Sequence, residues 1–230
     1  MLDPIAHIRS DYGEKFAVPR QSGLSDAAHA TLVFTPTFRD PNALRGLEQC
    51  SHLWVIFHFN KNRPTASEDW SPTVRPPRLG GNQRLGVFAT RSPFRPNPLG
   101  LSVGKIETIE TDTPDGPVIH LSGLDLVDGT PVIDIKPYVP YCDSIPEASN
   151  PLFGSAPQRL AQPFIVAPKA QPILQSDARL TALVEQTLRL DPRPAYQDDP
   201  QREYGVSLGG YNIRFTITDA AITVTGASKA

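Results

Sequence analysis

Cysteine is scarce in this sequence, and long apolar runs are missing from it. The two cysteines, Cys50 and Cys142, lie far apart and form no CxxC pattern, which excludes a disulfide framework and gives no reason to expect a metal site. No stretch approaches the roughly eighteen consecutive apolar residues of a membrane span. The opening residues lack the basic start and apolar core of a signal peptide. We therefore expect a soluble, cytoplasmic protein that binds neither a membrane nor a metal.

Two common nucleotide-binding patterns and one zinc motif are also absent. No G-x-G-x-x-G follows a candidate strand, and no alternation of strands and helices is present, which argues against a Rossmann-type cofactor site. The sequence contains no Walker loop and no H-E-x-x-H. A functional site has to be sought in other patterns.

Acidic residues are absent from residues 71–106, although this segment carries six cations. The rest of the chain has the other 16 of the 22 cations against all 24 acids, and the formal net charge is −2. An acidic protein has therefore gathered unpaired positive charge in one place. The cations are Arg75, Arg78, Arg84, Arg91, Arg95 and Lys105.

The composition of this segment favours a binding role for its arginines. Six prolines stiffen it, and five glycines allow a ligand to approach the backbone closely. Because a guanidinium grips phosphate or carboxylate with a planar fork, we interpret the segment as an anion-binding surface and take the anion to be RNA. The alternative is a set of arginines that pair with acids elsewhere or project into water.

Short apolar or alternating runs, bounded by turn-forming residues, recur over the first two thirds of the chain and predict a closed or sandwiched antiparallel sheet. A helix is expected from Asp40, as its cap, to Cys50. The predicted strands cover residues 5–9, 31–34, 53–59, 86–90, 101–109, 118–124 and 132–135.

The last third of the chain predicts a smaller α+β unit. Residues 176–190 read as a helix capped by Ser176, with an apolar stripe and with Pro192 beyond its end. Three short strands follow, at 206–208, 211–217 and 222–225, with Gly209-Gly210 as a turn. We expect a boundary near residue 165, giving domains of residues 1–165 and 166–230.

Four stretches resemble one known family in sequence and in order. They are KFAVPRQSGL (15–24), RGLEQCSHLWVIFHF (45–59), TVRPPRLGGNQRLGVFATRSPFRPNPLGLS (73–102) and SGLDLVDGTPVIDIKPYVPYCDSIPEA (122–148). Together they resemble the TrmO family (TsaA/YaeB-like), strongly over about residues 1–150 and more loosely beyond. The resemblance implies a mainly β protein, with an N-terminal single-sheet antiparallel β-barrel, a small C-terminal α+β domain and a homodimeric assembly.

The same resemblance implies an activity. Members of this family are S-adenosylmethionine-dependent methyltransferases that methylate N6 of threonylcarbamoyladenosine (t6A), at position 37 of tRNA. The expected cofactor is therefore S-adenosyl-L-methionine, and the expected partner is tRNA carrying t6A. A non-catalytic barrel that binds RNA or an anionic nucleotide, and a related methyltransferase with another acceptor, are the competing interpretations.

Cofactor-binding positions are carried over from the family residue by residue. The departure from the family is Asn60-Lys61, where members often carry a His-Gln-like pair, which puts a side-chain contact there in doubt. For Asp125 and Asp128 the structural alternative is turn capping around the Asp-Gly sequence. The implied cofactor residues are Pro19, Arg20, Gln21, Asn60, Lys61, Arg91, Leu101, Asp125, Leu126, Val127 and Asp128.

For the reaction we expect a direct in-line displacement at the sulfonium without a covalent enzyme intermediate. No catalytic residue is identified, and Asp128 and Asp134 are candidate proton acceptors by position only. Arg95 or Lys136 is the candidate partner for the threonyl carboxylate, because a cation buried there would reject plain adenosine. Phosphate contacts are assigned to Arg75, Arg78 and Arg84.

Overall fold

The structure is a computed structural model that describes residues 2–61, 70–76, 83–154, 156–193, 199 and 202–230. The described residues form twelve strands: β1 Ala6–Ser10, β2 His29–Phe34, β3 His52–His58, β4 Thr73–Val74, β5 Leu85–Gly86, β6 Leu99–Glu110, β7 Val118–Ser122, β8 Pro131–Pro137, β9 Phe164–Val166, β10 Tyr204–Leu208, β11 Tyr211–Ile217 and β12 Ile222–Lys229. Three α-helices accompany them: α1 Pro140–Asp143, α2 Gln171–Leu174 and α3 Ala178–Arg189.

Six strands close into one antiparallel barrel in the order β1-β2-β7-β6-β3-β8. The barrel closes where β1 pairs with β8, with Ala6 opposite Val132. This confirms the predicted single-sheet β-barrel, and closure leaves no exposed sheet edge around most of its circumference. The strands at 5–9, 31–34, 53–59, 101–109, 118–124 and 132–135 are confirmed with shifted ends.

Alternation of side chains along β3 shows how the barrel is filled. Leu53, Val55 and Phe57 are buried and point inward, whereas the residues between them are partly exposed. Gly100 on β6 lies directly opposite Phe57. A Cβ on Gly100 would lie 2.1 Å from the Phe57 ring, so the absence of a side chain there is what gives the ring its space.

Two local predictions in the first domain are wrong. Residues 86–90 form no five-residue strand, since Leu85–Gly86 pair only with Thr73–Val74 and a 3₁₀ turn, Val87–Ala89, follows. The expected helix up to Cys50 is two 3₁₀ turns, Pro41–Leu44 and Leu47–Gln49. Asp40 does cap the first turn, but Gly46, with a φ of 93°, breaks the helical path between them.

The C-terminal part is a four-stranded sheet, β10-β11-β12-β9, with α3 packed on it. Strand β9 runs parallel to β12 and was not predicted. The predicted apolar stripe of the helix is confirmed, because Leu180, Leu183, Val184 and Leu188 are all buried. The predicted cap is wrong by one residue: the side chain of Asp177 accepts a hydrogen bond from the backbone of Leu180 at 2.9 Å.

The core of the C-terminal sheet includes residues from the N-terminal third of the chain. Tyr12 and Ala28 are buried in the same cluster as α3 and strands β10 to β12. Tyr12 also forms a backbone bridge with Leu208. Burial raises the pKa of the Tyr12 hydroxyl to about 12. Residues 11–28 therefore contact both the barrel and the C-terminal sheet. Side chains on this segment are held in place by both parts of the fold.

Candidate functional site

The candidate site lies along an incomplete edge of β6. Residues 99–104 of this strand pair with β3, but pairing with β7 begins only at Lys105. Two loops lie along the vacant edge: residues 19–25, and residues 123–128 after β7. The backbone N–H of Val103 donates to the Ser22 hydroxyl at 3.3 Å, so a side chain from the first loop replaces a missing strand partner.

The two loops are joined by their backbones. The N–H of Gly23 donates to the carbonyl of Gly123 at 2.8 Å, and the N–H of Gly123 donates to the carbonyl of Ala28 at 3.0 Å. Both glycines have positive φ values, of 79° and 76°, which side chains rarely tolerate. The early Pro-Arg-Gln turn is thereby fixed next to the Asp125 loop.

Gln21 brings the arginine-rich segment to the same place. Its side-chain oxygen accepts a hydrogen bond from Arg91 Nη1. Residues 70 positions apart in the sequence therefore meet, as the family resemblance implied for a shared site. Pro19 is buried and Arg20 is exposed, so the turn is anchored on one side and open to solvent on the other.

Asp125 is the partly buried acid of the site. Ser102 Oγ donates to its Oδ1 at 2.5 Å. Desolvation raises the pKa of the Asp125 carboxyl, while the Ser102 hydrogen bond, the residue's own backbone N–H and the positive charge of Arg91 act in the opposite direction. A carboxylate held in this way can accept hydrogen bonds from a cationic or hydroxyl-bearing ligand.

Ser102 lies at the centre of a G-x-S-x-G sequence, residues 100–104. In serine hydrolases this motif places the serine on a sharp strand-to-helix turn. In this protein Ser102 is buried within the long strand β6, and its hydroxyl bonds a carboxylate. Ser102 therefore lacks the strand-to-helix turn on which a hydrolase nucleophile lies, and its hydroxyl instead holds the Asp125 carboxylate in place.

The remaining residues of the Asp125 loop have mixed environments. Leu126 is buried, Val127 is partly buried and Asp128 is exposed. Asp128 Oδ1 accepts from the backbone N–H of Ser10 on β1 at 3.0 Å, which is a contact with another strand and not a cap of its own turn. On β6, Leu101 is 54% exposed, so an apolar surface is available beside the two loops.

Asn60 and Lys61 lie at the end of β3. The side-chain amide of Asn60 donates to the carbonyl of Gly129 at 3.4 Å, which ties it to the turn after Asp128. The carbonyl of Lys61 accepts from the ammonium of Lys15. The described contact of Lys61 therefore involves its backbone carbonyl.

Arg95 and Lys136 have partners of different kinds. Arg95 Nη1 donates to the carbonyls of Thr90 and Ser92 at 3.2 and 3.3 Å, so it braces its own loop. Lys136 pairs with Asp134 at 3.4 Å on the outer face of β8, where both side chains are largely exposed. Lys136 also lines a cleft of about 400 Å³ that includes Arg45 and Cys50.

The remaining predicted residues lie beside the β4–β5 hairpin or face a second cleft. Arg75 and Arg84 are exposed at the two ends of the loop that connects β4 to β5, and Arg78 lies outside the described residues. Asp128 lines a cleft of about 620 Å³ on the outside of the barrel, with Asp11, His29 and Arg179 among its other lining residues. Asp134 is engaged in its ion pair with Lys136, and Asp128 in its contact with the Ser10 backbone.

Sequence reasoning missed the residues that hold the first loop in place. Gln186 Oε1 on α3 accepts from Ser25 Oγ at 3.0 Å and from the N–H of Ala27 at 3.2 Å. Its Nε2 donates to Asp26 Oδ1 at 2.6 Å. Arg159 Nη2 adds a bond to the carbonyl of Leu24 at 2.7 Å. One available signal was the repeated Ser-Gly-Leu at 22–24 and 122–124, the two tripeptides whose glycines pair.

Two further classes of site find no support in the described ranges. No group of three or more His, Cys, Asp or Glu side chains there is arranged to hold a metal ion. In the same ranges, every helix is too short or too polar to cross a membrane.

The fold and the site together define a β-barrel protein, joined to a small α+β unit, that presents an acid and a guanidinium at an open strand edge. Comparison with known proteins identifies the group. The tRNA-methyltransferase O N-terminal domain family matches residues 7–144, and the TrmO C-terminal domain family matches residues 163–230. The chain belongs to the TrmO family.

Individual relatives agree with this assignment. The tRNA (adenine(37)-N6)-methyltransferase of Escherichia coli K12 is 44% identical over 228 residues, which cover 97% of this chain and 95% of the relative. A Pseudomonas aeruginosa protein with the provisional name of an S-adenosylmethionine-dependent methyltransferase is 46% identical and covers 93% of this chain and 91% of its own. The crystal structure of TrmO from P. aeruginosa matches with a TM-score of 0.80 at 36% identity, covering 100% of this chain and 97% of that one.

Proposed function

We propose that this protein transfers a methyl group from S-adenosyl-L-methionine to N6 of t6A at position 37 of tRNA. Membership of the TrmO family supports this activity, as does the activity for which the E. coli relative is named. The observation that carries the proposal in this chain is the meeting of Gln21, Arg91 and Asp125 at the edge of β6.

The donor set at this edge fits the proposed cofactor. When bound, S-adenosylmethionine supplies an activated methyl group on a sulfonium, together with a carboxylate, an ammonium and ribose hydroxyls. Arg91 is suited to the carboxylate, and the Asp125 carboxylate is suited to the ammonium or the hydroxyls. Gln21 holds Arg91 in place. Pro19, Arg20, Asn60, Lys61, Leu101, Leu126, Val127 and Asp128 remain our proposed additional contacts.

For the chemical step we propose direct in-line displacement, with orientation of the two bound partners as the main catalytic contribution. Orientation of this kind supplies roughly 7–11 kcal/mol of barrier reduction. The proton on N6 leaves to water, to the modification itself or to an aspartate. Asp128 and Asp134 stay candidates for that acceptor, although each already has a structural partner, the Ser10 backbone and Lys136 respectively.

Discrimination between t6A and plain adenosine is proposed to come from a cation that pairs with the threonyl carboxylate. Arg95 and Lys136 are the candidates. The bonds described for Arg95 use Nη1, and a guanidinium has five N–H donors. The partner of Lys136, Asp134, is an exposed acid that a substrate carboxylate can replace at little cost. Replacing the correct cation by Ala should abolish the preference for t6A.

Phosphate binding is proposed for Arg75 and Arg84, and also for Arg78, which the described structure does not cover. Neither Arg75 nor Arg84 is buried. We further propose a homodimer, a cytoplasmic location and the division into residues 1–165 and 166–230. A boundary after residue 165 would cut strand β9, Phe164–Val166, whose pairing with β12 assigns it to the second unit.

The test is nucleoside mass spectrometry of tRNA from cells that lack this protein. We expect N6-methylated t6A to disappear, t6A to accumulate, and the methylated nucleoside to return with the wild-type gene but not with Arg91→Ala. Retention of the methylated nucleoside in the deletion strain would show that the chain is not its source. Loss of a different methylated nucleoside would indicate another acceptor, and a protein that binds RNA but not S-adenosylmethionine in calorimetry would be a binding module.

A further inference from the structure

Two aromatic rings lie together at the arginine-rich segment, since Trp70 directly precedes it and Phe88 lies within it. The ring centroids of Trp70 and Phe88 are 5.7 Å apart, at an interplanar angle of 38°. Phe88 is 71% exposed, which is the largest exposure of any phenylalanine in the described part of the chain. Exposed apolar side chains that cluster, as these two rings do, commonly mark binding surfaces.

The local backbone explains why Phe88 faces outward. The N–H of Val87 donates to the carbonyl of Pro72 at 2.9 Å, and Val87 itself is buried. The next residue in this 3₁₀ turn therefore points away from the protein. Trp70 precedes β4 and Phe88 follows β5, so the pairing of these two strands brings both rings to the same end of the hairpin.

The opposite end of the hairpin carries positive charge. Thr73 pairs with Gly86 and Val74 pairs with Leu85, and Arg75 and Arg84 flank this short ladder, one directly after β4 and the other directly before β5. Like charges held close together repel each other, and residues 71–106 themselves contain no acid. An anion that binds between these arginines removes the repulsion.

We propose that Phe88, supported by Trp70, is a stacking platform for an unpaired base of the RNA substrate, while Arg75 and Arg84 hold the adjoining phosphates. This inference rests on the proposed function, because it identifies how the tRNA substrate is held. Proteins that bind single-stranded RNA combine a cationic groove with exposed aromatic rings on which bases stack. The unpaired nucleotides next to position 37 in the anticodon loop have the required chemistry.

The inference can be tested with two RNAs that differ only in their bases. One is an anticodon stem–loop, and the other is the same stem–loop with abasic nucleotides at the loop positions next to the target adenosine. Fluorescence anisotropy would give the affinity of each RNA for wild-type protein, Phe88→Ala and Phe88→Trp. Phe38→Ala is the matched control, since Phe38 is also an exposed phenylalanine but lies outside residues 71–106.

The Phe88→Ala variant should bind the complete stem–loop roughly tenfold more weakly, while its affinity for the abasic RNA should equal that of wild type. Phe88→Trp should bind both RNAs as wild type does, and Phe38→Ala should change neither affinity. Equal weakening of both RNAs by Phe88→Ala, or no weakening, would overturn the inference. So would a shift in sedimentation caused by Phe88→Ala, because the ring would then lie at a contact between two copies of the chain.

Failure of this inference is distinguishable from failure of the proposed function. Calorimetry with S-adenosylmethionine and transfer of its methyl group to t6A by wild-type protein test the function alone. If wild type methylates t6A and Phe88→Ala binds both RNAs normally, the function stands and the platform is wrong. If Phe88→Ala weakens binding of the complete stem–loop alone but wild type methylates nothing, Phe88 is a stacking platform and the proposed methyltransferase activity is wrong.

Discussion

The hydroxyl of Ser102, on the inner side of β6, donates a 2.5 Å hydrogen bond to the carboxylate of Asp125 in the loop after β7. Ser102 lies opposite Val55, a core residue of the barrel. The acid of the site is thus held by the barrel interior and not by a flexible surface group. Packing sets the position of the Asp125 carboxylate. Its desolvation raises its pKa and disfavours the charged form in the folded protein.

Asp125→Asn should separate stability from function. Asparagine keeps an acceptor for Ser102 but removes the charge that a cationic ligand needs. We expect the affinity for S-adenosylmethionine to fall roughly 10- to 100-fold, which corresponds to one hydrogen bond to a charged group. The measurement is calorimetric titration, and an unchanged affinity would remove Asp125 from the site.

The same variant should be more stable than wild type at neutral pH. The pKa of Asp125 is raised in the folded protein, so the stability that its protonated form contributes is full below the ordinary aspartate value of 3.8 and is lost as the pH rises through the folded pKa. The midpoint of thermal unfolding of Asp125→Asn should exceed that of wild type at pH 7, by about 2–4 °C per kcal/mol of relieved cost. The difference should shrink on acidification, and a gap independent of pH would contradict this account.

Gln186 should position the first loop from the C-terminal domain. In Gln186→Glu a second carboxylate faces Asp26, whose Oδ1 lies 2.6 Å from the Gln186 amide nitrogen. The repulsion should displace residues 24–27 and weaken S-adenosylmethionine binding roughly 3- to 30-fold. Adding Asp26→Asn restores a donor that faces the glutamate, so the double variant should recover most of the affinity.

Asp26→Asn alone is the control for this experiment. Its side-chain oxygen still accepts from Gln186, so affinity for S-adenosylmethionine should stay close to wild type. A double variant no better than Gln186→Glu would show that the loop does not depend on this contact. Recovery of affinity would assign the C-terminal domain a role in cofactor binding.

Gly100→Ala should destabilise the barrel. The new Cβ would lie 2.1–2.6 Å from three atoms of the Phe57 ring, and relief of such overpacking costs about 1–3 kcal/mol. Urea unfolding should show this loss, and Gly100→Ala combined with Phe57→Leu should recover part of it. Gly86→Ala is the matched control, because nothing lies within 4 Å of its Cβ position and its φ is −56°. Equal stability of the two alanine variants would show that a Cβ at position 100 does not clash with the Phe57 ring.

Arg75 and Arg84 should determine how RNA affinity responds to salt. Each phosphate contact to single-stranded RNA contributes a slope of roughly 0.7 to the plot of log affinity against log salt. Arg75→Gln and Arg84→Gln should each flatten that plot by about this amount. Arg9→Gln serves as a control, since Arg9 is an exposed arginine that already pairs with Asp115 at 2.6 Å. If the salt slopes of Arg75→Gln and Arg84→Gln equal that of wild type, these arginines do not contact the RNA phosphates.

Most of the barrel could be predicted from the sequence because its strands are short apolar or alternating runs bounded by turn residues. Leu53, Val55 and Phe57 define their own inner face without any knowledge of the partner strands. The segment from Asp40 to Cys50 could not be predicted, since the helical pattern there is interrupted by Gly46 in a left-handed conformation. Strand β9 was missed because three residues carry too little periodicity.

The site was only partly predictable for a related reason. The meeting of Gln21 with Arg91 follows from closure of the barrel over many residues, and only the family resemblance indicated it beforehand. No motif indicates the supporting roles of Ser102 and Gln186, because any side chain with the right donor and acceptor can take such a role. Their roles depend on long-range packing, which local sequence does not encode.

Methyl transfer in a purified system tests the central claim most directly. Wild-type protein, S-adenosylmethionine with a trideuterated methyl group, and two tRNA preparations, one with t6A and one with plain adenosine at position 37, would be incubated and digested to nucleosides. We predict that mass spectrometry finds the labelled methyl on t6A at position 37 and none on plain adenosine. Label on neither tRNA, from protein that binds both S-adenosylmethionine and tRNA, would contradict the account.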